Sequence, residues 1–412
     1  MGKLAITGGT PVRTKPFPSW PIRDEAVLEA LKEVWESNVW GIGGGKVPEF
    51  ERKFAEYVGV KYAVATTSGT VALQLALKAA GVGPGDEVIV PPYTFMATAS
   101  SVLMCNAVPI FADIDPDTFN IDPQSVEEVI TERTKAIIPV HIGGCPADMD
   151  AITEIARRHG LVVIEDCAQA HGAEWKGRKV GSLGDMGCFS FQSSKNLSAG
   201  EGGIVTTDDK ELEEKVWSLH NCGRRKEGAW YEHNILGGNY RMTEWQAAVL
   251  LAQLPKLEEQ TDIRDRNASY LARKLEGIEG IKPQRRDERV TKHAYHLFIF
   301  KFDDELFGVS RDRFIAALRA EGIPCSAGYN PLYRERMFQT DIYRCPVGCP
   351  YYKGQIDYSK LHLPNVEKAC RQAVWIFQSV FLGTKEDMDD IAGAVEKVIE
   401  NIDELKSAEE NC

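Results

Sequence analysis

Between residues 61 and 207, short apolar runs alternate with stretches of helical period. Residues 62–66, 87–90, 109–112, 135–140 and 161–165 read as strands, with helices over 70–80 and 148–159. Strands that are apolar throughout are buried on both faces, which points to a mostly parallel sheet covered by helices. The fold class is α/β. Past residue 207 the pattern changes. Residues 208–219 are helical, and Thr243-Glu244-Trp245-Gln246 forms a capping box at the start of a long helix, the Thr243 hydroxyl accepting from the Gln246 N–H. A charged helical stretch (257–275), a strand (295–302), a helix (311–321) and a Tyr/Pro-rich region follow. Met388, Ile391, Val395, Val398, Ile399 and Ile402 then share one helix face at spacings of three and four. The pattern divides the chain into an N-terminal arm plus large domain (1–260) and a smaller α/β domain (261–412).

The 412 residues are 43% hydrophobic and 26% charged, a globular mix able to build a core without disulfides or metals. No apolar run approaches the roughly 20 residues of a membrane span, and the first residues lack a secretion signal, so a cytoplasmic protein is expected. The net charge of −12 argues against a nucleic-acid binder and leaves room for a local phosphate pocket. Ten scattered cysteines read as reduced thiols. Cys345 and Cys349, with His362 nearby, fall short of the four ligands zinc takes, so no metal is expected there. Two glycine clusters fail on context. Val47 stands where a phosphate loop at Gly41 to Lys46 needs Ser or Thr, and Gly81-Val82-Gly83-Pro84-Gly85 follows a helix and precedes a strand, the reverse of a dinucleotide fingerprint.

Four other segments carry candidate chemistry. Thr67-Ser68-Gly69-Thr70 ends a strand and starts a helix, where outward N–H groups and the helix dipole favour an anion; Ser68 or Thr70 also suits a simple N-cap. Asp166 sits at the carboxyl end of an apolar strand, where ligands of parallel sheets bind. Its carboxylate there stabilises a positive charge on a ligand, caps a helix or pairs with an arginine. Lys195 follows an aromatic strand (Phe189-Ser190-Phe191) and precedes Gly200-Glu201-Gly202-Gly203. With no neighbouring charge, burial lowers its pKa and leaves a neutral amine able to form a Schiff base. Gly237-Gly238-Asn239 precedes the capped helix and serves equally as a turn.

Together these segments resemble the DegT/StrS sugar aminotransferases, which use pyridoxal 5′-phosphate on the type I aminotransferase fold. The resemblance runs from Gly8-Gly9-Thr10-Pro11-Val12-Arg13 to the last helices and is most specific at Ser68-Gly69-Thr70, Glu165-Asp166-Cys167-Ala168-Gln169-Ala170-His171-Gly172, Lys195-Asn196 and the glycine run after it. It implies that Lys195 is the Schiff-base lysine and later the proton shuttle, and that Asp166 keeps the pyridinium nitrogen protonated. It further implies that Gln169 bonds the cofactor's 3′-oxygen, that Phe95 stacks on the ring, and that Gly69, Thr70 and Ser190, with Ser68 and Gln192, hold the phosphate. Asn239 would reach the phosphate of a neighbouring subunit, which makes the expected state a two-fold homodimer. Relatives that dehydrate sugars carry histidine in place of the lysine; retention of Lys195 favours transamination.

The opening residues 4–21 and Gly328-Tyr329-Asn330-Pro331-Leu332-Tyr333-Arg334 resemble the branch that aminates keto-cyclitols and aminoshikimate-type rings. That resemblance implies L-glutamine or L-glutamate as donor and a scyllo-inosose-type ketone as acceptor, with Tyr295, His296, Tyr329 and Arg334 as substrate contacts. A nucleotide-linked keto-sugar is the rival acceptor, and a non-catalytic regulatory protein that keeps the fold is the rival class.

Overall fold

The structure, a computed structural model, describes residues 2–339, 351–352, 354 and 356–409. Seven strands form the large sheet: β1 (Tyr62–Thr66), β2 (Glu87–Val90), β3 (Val108–Phe111), β4 (Thr134–Ile137), β5 (Val162–Asp166), β6 (Met186–Ser190) and β7 (Gly203–Thr207). Their order is β1-β7-β6-β5-β4-β2-β3. Only β7 runs antiparallel to its neighbours; the pairs from β6 to β3 are parallel. The mostly parallel sheet expected from the apolar runs is present, the strands read from them lying within a few residues of their expected positions, while β7 was not foreseen. Helices α1 (Glu25–Ser37), α2 (Lys46–Val58), α3 (Gly69–Ala79), α4 (Ala97–Met104), α5 (Met149–His159) and α6 (Lys210–His220) belong to this half.

A second, antiparallel sheet contains β8 (Ile281–Pro283), β9 (Leu297–Phe302), β10 (Cys325–Ala327) and β11 (Ala373–Phe377), in the order β8-β9-β11-β10. Phe298, Phe300, Phe302 and Phe314 pack its core together with Ile391 and Val395 of the amphipathic helix Lys385–Glu400, which ends at Asn401, so that Ile402 opens a separate short helix rather than sharing its face. The two halves are joined by α7 (Glu244–Leu275), whose capping box is formed as the sequence predicts. This helix passes residue 260 unbroken, so the division expected there falls within a helix rather than a linker. No helix of the described residues is long and apolar enough to cross a membrane.

The glycine-rich stretch before α2 has a structural use. Glu244 accepts from the N–H groups of Lys46 (2.8 Å) and Val47 (3.0 Å), so α2 is capped by a carboxylate from α7. A side chain on Gly44 would collide with Glu244. Cys345 and Cys349 lie outside the described residues; His362 pairs with Glu367 at 2.9 Å.

Alternation along β5 sends Ile164 and Asp166 to one face and Glu165 to the other. Glu165 is fully buried and accepts from Gly181, Leu183 and Gly184 N–H and from His141 Nε2. His141 Nδ1 already accepts from Ala147 N–H, so its proton is on Nε2. These groups form a saturated hydrogen-bonded hub under the strand that carries Asp166. Glu165→Ala strands four donors and should destabilise the fold by about 3–5 kcal/mol, read as a lower urea midpoint. An unchanged midpoint would contradict this role.

Candidate active site

The site is built at the carboxyl ends of the parallel strands. In β6 and its continuation, Phe189 and Phe191 turn into a cluster with Phe50 and Phe54, the Phe54–Phe189 and Phe50–Phe191 rings meeting edge-on at 5.0 and 5.3 Å. The period of two therefore turns Ser190 and Gln192 to the opposite side, where both line a cavity of about 500 Å³. The loop then closes: Lys195 N–H donates to Gln192 O (2.9 Å), and Ser194 N–H donates to Gln192 Oε1 (2.9 Å). Asn196 anchors it from behind, donating to Ala294 O (2.8 Å) and meeting His296 Nδ1 at 3.1 Å. Trp20 of the N-terminal arm donates from Nε1 to Ser193 O (3.1 Å).

Lys195 opens on this cavity. Its surroundings desolvate the amine and lower its pKa to about 8, with the Asp166 charge opposing. Asp166 is buried in the same cavity wall. Burial pushes its carboxyl upward, opposed by the Thr98 hydroxyl (2.8 Å to Oδ2), the Ala168 N–H (3.1 Å to Oδ1) and the charge of Lys195. An amine with a lowered pKa and an under-compensated carboxylate thus share one cavity.

The third element is the start of α3. Ser68 is its N-cap, accepting from Val71 N–H at 3.3 Å, which settles the choice between Ser68 and Thr70. Gly69 and Thr70 occupy the first turn, where N–H groups lack intrahelical acceptors. A Cβ at Gly69 would come within 2.7 Å of Ser190 Cβ, so glycine is what lets α3 approach β6 and close the cradle formed by Ser68, Gly69, Thr70 and Ser190. Gly203 plays the same part against the Ser68 backbone.

The structure brings Ser68, Gly69, Thr70, Asp166, Ser190 and Lys195 to one cavity, and Phe95, Gln169, Gln192, His296 and Tyr329 complete its predicted wall. Gln169 is fixed at both ends: Oε1 accepts from Gly143 N–H (2.7 Å) and Nε2 donates to Tyr329 Oη (2.9 Å). Desolvation keeps the His296 pKa well below its ordinary value, so the ring is neutral at pH 7.

Three predicted residues lie elsewhere. Tyr295 adopts a left-handed backbone (φ +43°), stacks on His293 at 3.6 Å and packs against Phe298; it is core, not cavity. The strand begins only at Leu297, which is why a strand from 295 misplaces its side chain. Arg334 is exposed and paired with Glu367 at 2.6 Å. Asn239 lines a different cleft, beside Arg241 and Glu51.

Sequence reading missed Thr94, Glu201, Trp375 and Phe377 of the cavity wall. Trp375 donates to Tyr93 Oη (3.0 Å) and meets the Tyr329 ring edge-on at 4.6 Å, tying the second sheet to the large one. Only the period of two in the strand around Trp375 hinted at a shared face with Phe377.

The chain's likenesses match this geometry. A protein of Streptoalloteichus tenebrarius is 44% identical across 98% of this chain and 99% of its own length. It carries, provisionally, the name L-glutamine:3-amino-2,3-dideoxy-scyllo-inosose aminotransferase. A second protein of that organism, L-glutamine:2-deoxy-scyllo-inosose aminotransferase, is 41% identical over 98% and 99%. Among solved structures, 3-amino-5-hydroxybenzoic acid synthase superposes with a TM-score of 0.86 at 36% identity, covering 94% of this chain and 100% of that one. The sequence matches the family pattern over residues 21–396, and the chain belongs to the DegT/DnrJ/EryC1/StrS aminotransferase family.

Proposed function

We propose that this protein is a pyridoxal 5′-phosphate-dependent aminotransferase that moves the amino group of L-glutamine to a keto-cyclitol of the scyllo-inosose type. The observation that carries the reading is the pairing of Lys195 and Asp166 in one cavity wall beside the Ser68–Thr70 cradle. The donor set fits the cofactor: a ring N–H⁺ against Asp166 supplies the positive charge this buried carboxylate lacks, and the cradle offers N–H and hydroxyl donors to a phosphate. When bound, the cofactor supplies an aldehyde carbon and an electron-withdrawing ring. Lys195 would offer its neutral amine to that carbon and then carry a proton between the donor's Cα and the cofactor's C4′. Asp166 would hold a proton on the ring nitrogen, and Phe95 would cover the ring face. Gln169 is pinned through Gly143 and Tyr329, and its second amide N–H, which meets no acceptor among the described residues, would donate to the 3′-oxygen.

Charge supports a neutral acceptor. Among the described cavity-lining residues Lys195 is the only lysine or arginine, whereas Glu201 adds negative charge. A diphosphate would meet no guanidinium there, while a polyol ring finds the Tyr329 hydroxyl and the His296 imidazole. Names borne by the two Streptoalloteichus relatives point the same way. The separate cleft of Asn239 suits a homodimer in which this side chain serves the partner's phosphate cradle.

The test is by half-reactions. Glutamine and glutamate are screened for conversion of the pyridoxal to the pyridoxamine form, and inososes and nucleotide-linked keto-sugars for its reversal. Inososes should win by at least about a hundredfold in kcat/KM. Faster reversal by the nucleotide-linked ketones would overturn the acceptor assignment.

A further inference from the structure

Asp166 is held by a relay that the reaction scheme does not use. Its Oδ2 lies 2.8 Å from Thr98 Oγ1, and that oxygen lies 2.9 Å from Thr94 Oγ1. Thr98 is fully buried and absent from the cavity wall, whereas Thr94 and Phe95 line it. All three sit on the single turn between Tyr93, locked by Trp375, and the start of α4. One turn therefore places a ring-stacking side chain at its middle and a hydroxyl against the carboxylate at its end.

The direction of the relay follows from proton counting. An ionised Asp166 has no proton, so Oδ2 only accepts and the single Thr98 hydroxyl proton points at it. The Thr98 oxygen is then the acceptor in the second contact, and Thr94 must donate. Both hydroxyls are committed in one sense, toward the carboxylate, in a low-dielectric surrounding that strengthens such a chain. Protonation of Oδ2 would force the chain to reverse or break.

Resting on the reading of Asp166 as partner of the ring nitrogen, we propose that Thr98, oriented by Thr94, is a positioning residue that holds Asp166 ionised and so keeps the shared proton on the cofactor nitrogen rather than on the carboxylate. Thr98 touches neither substrate nor cofactor and acts only through Asp166. Removing its hydroxyl raises the proton affinity of Asp166, and the proton moves from nitrogen to oxygen.

The experiment reconstitutes wild type, Thr98→Val, Thr98→Ser and Asp166→Asn with cofactor carrying ¹⁵N in the ring and reads the nitrogen chemical shift at neutral pH, without substrate. Wild type and Thr98→Ser should give a protonated ring nitrogen. Thr98→Val should move toward the unprotonated value set by Asp166→Asn. In parallel, Thr98→Val should lose roughly ten- to a hundredfold in kcat of the glutamine half-reaction with little change in KM, and Thr98→Ser should recover most of it. Should the valine variant fail to fold, Thr94→Val carries the same test, with a smaller shift of the same sign. A folded Thr98→Val or Thr94→Val enzyme with the wild-type nitrogen shift overturns the proposal alone. A wild-type protein that takes up no labelled cofactor overturns the cofactor reading, and the proposal with it.

Discussion

Lys195→Ala should abolish both the visible absorbance that glutamine perturbs and turnover, with a loss on the order of 10⁴-fold or more in the donor half-reaction. The size follows from two roles falling on one nitrogen. On the proposed reading the amine would form the covalent link to the cofactor's aldehyde carbon and would be the base that takes the proton from the donor's Cα. Burial lowers its pKa from the ordinary lysine value of 10.5 to about 8. That supplies on the order of a hundredfold more neutral amine at neutral pH than an exposed lysine has. Cofactor capture by the apoenzyme should therefore speed up as pH rises toward about 8 and level off above it. Stopped-flow absorbance checks both statements. A yellow, active alanine variant would contradict them, as would capture that keeps accelerating to pH 10.

Asp166→Asn carries the second large effect, a loss of roughly 10²–10³-fold in the donor half-reaction with cofactor still bound. The amide keeps the shape: its oxygen can still accept from Ala168 N–H while its NH₂ group takes the Oδ2 position and donates to the Thr98 oxygen, so the cavity wall stays intact while the negative charge disappears. Without that charge the Asp166→Asn variant would no longer hold a proton on the nitrogen of a bound pyridoxal ring, whose electron-withdrawing power would fall. The substitution also removes a buried carboxyl whose ionised form is disfavoured by burial. Thermal stability of the apoenzyme should stay level or rise, which separates a chemical role from a structural one. A variant with lower melting temperature and unchanged half-reaction rate would reverse this assignment.

What was legible in the sequence follows from periodicity and local capping. The apolar runs predicted the strands because parallel strands buried on two faces leave an unbroken signal, and the Thr243 box predicted the start of α7 because its two reciprocal bonds are purely local. The site residues on β5, β6 and the start of α3 were legible because they belong to short contiguous motifs at strand ends. Tyr295 was misplaced for the converse reason. Its backbone turns to a positive φ just before the strand, a conformation that a tyrosine does not signal by residue type, and its ring packs on His293 and Phe298. Arg334 resembled a substrate contact in its motif, but Glu367, 33 positions away, claims its guanidinium. Trp375 and Phe377 reach the cavity only because β11 folds back across the domain division, and Thr98 matters only through a bond to a residue 68 positions away. Long-range pairings of this kind have no sequence period to betray them.

Reducing the holoenzyme with borohydride fixes any imine as a stable secondary amine, and digestion with mass spectrometry then identifies the lysine that carries the pyridoxyl group. The label should be found on the peptide containing Lys195, and prior addition of glutamine, which would free this lysine, should prevent the labelling. A pyridoxyl group on any other lysine, or a holoenzyme that takes no label, would contradict this assignment.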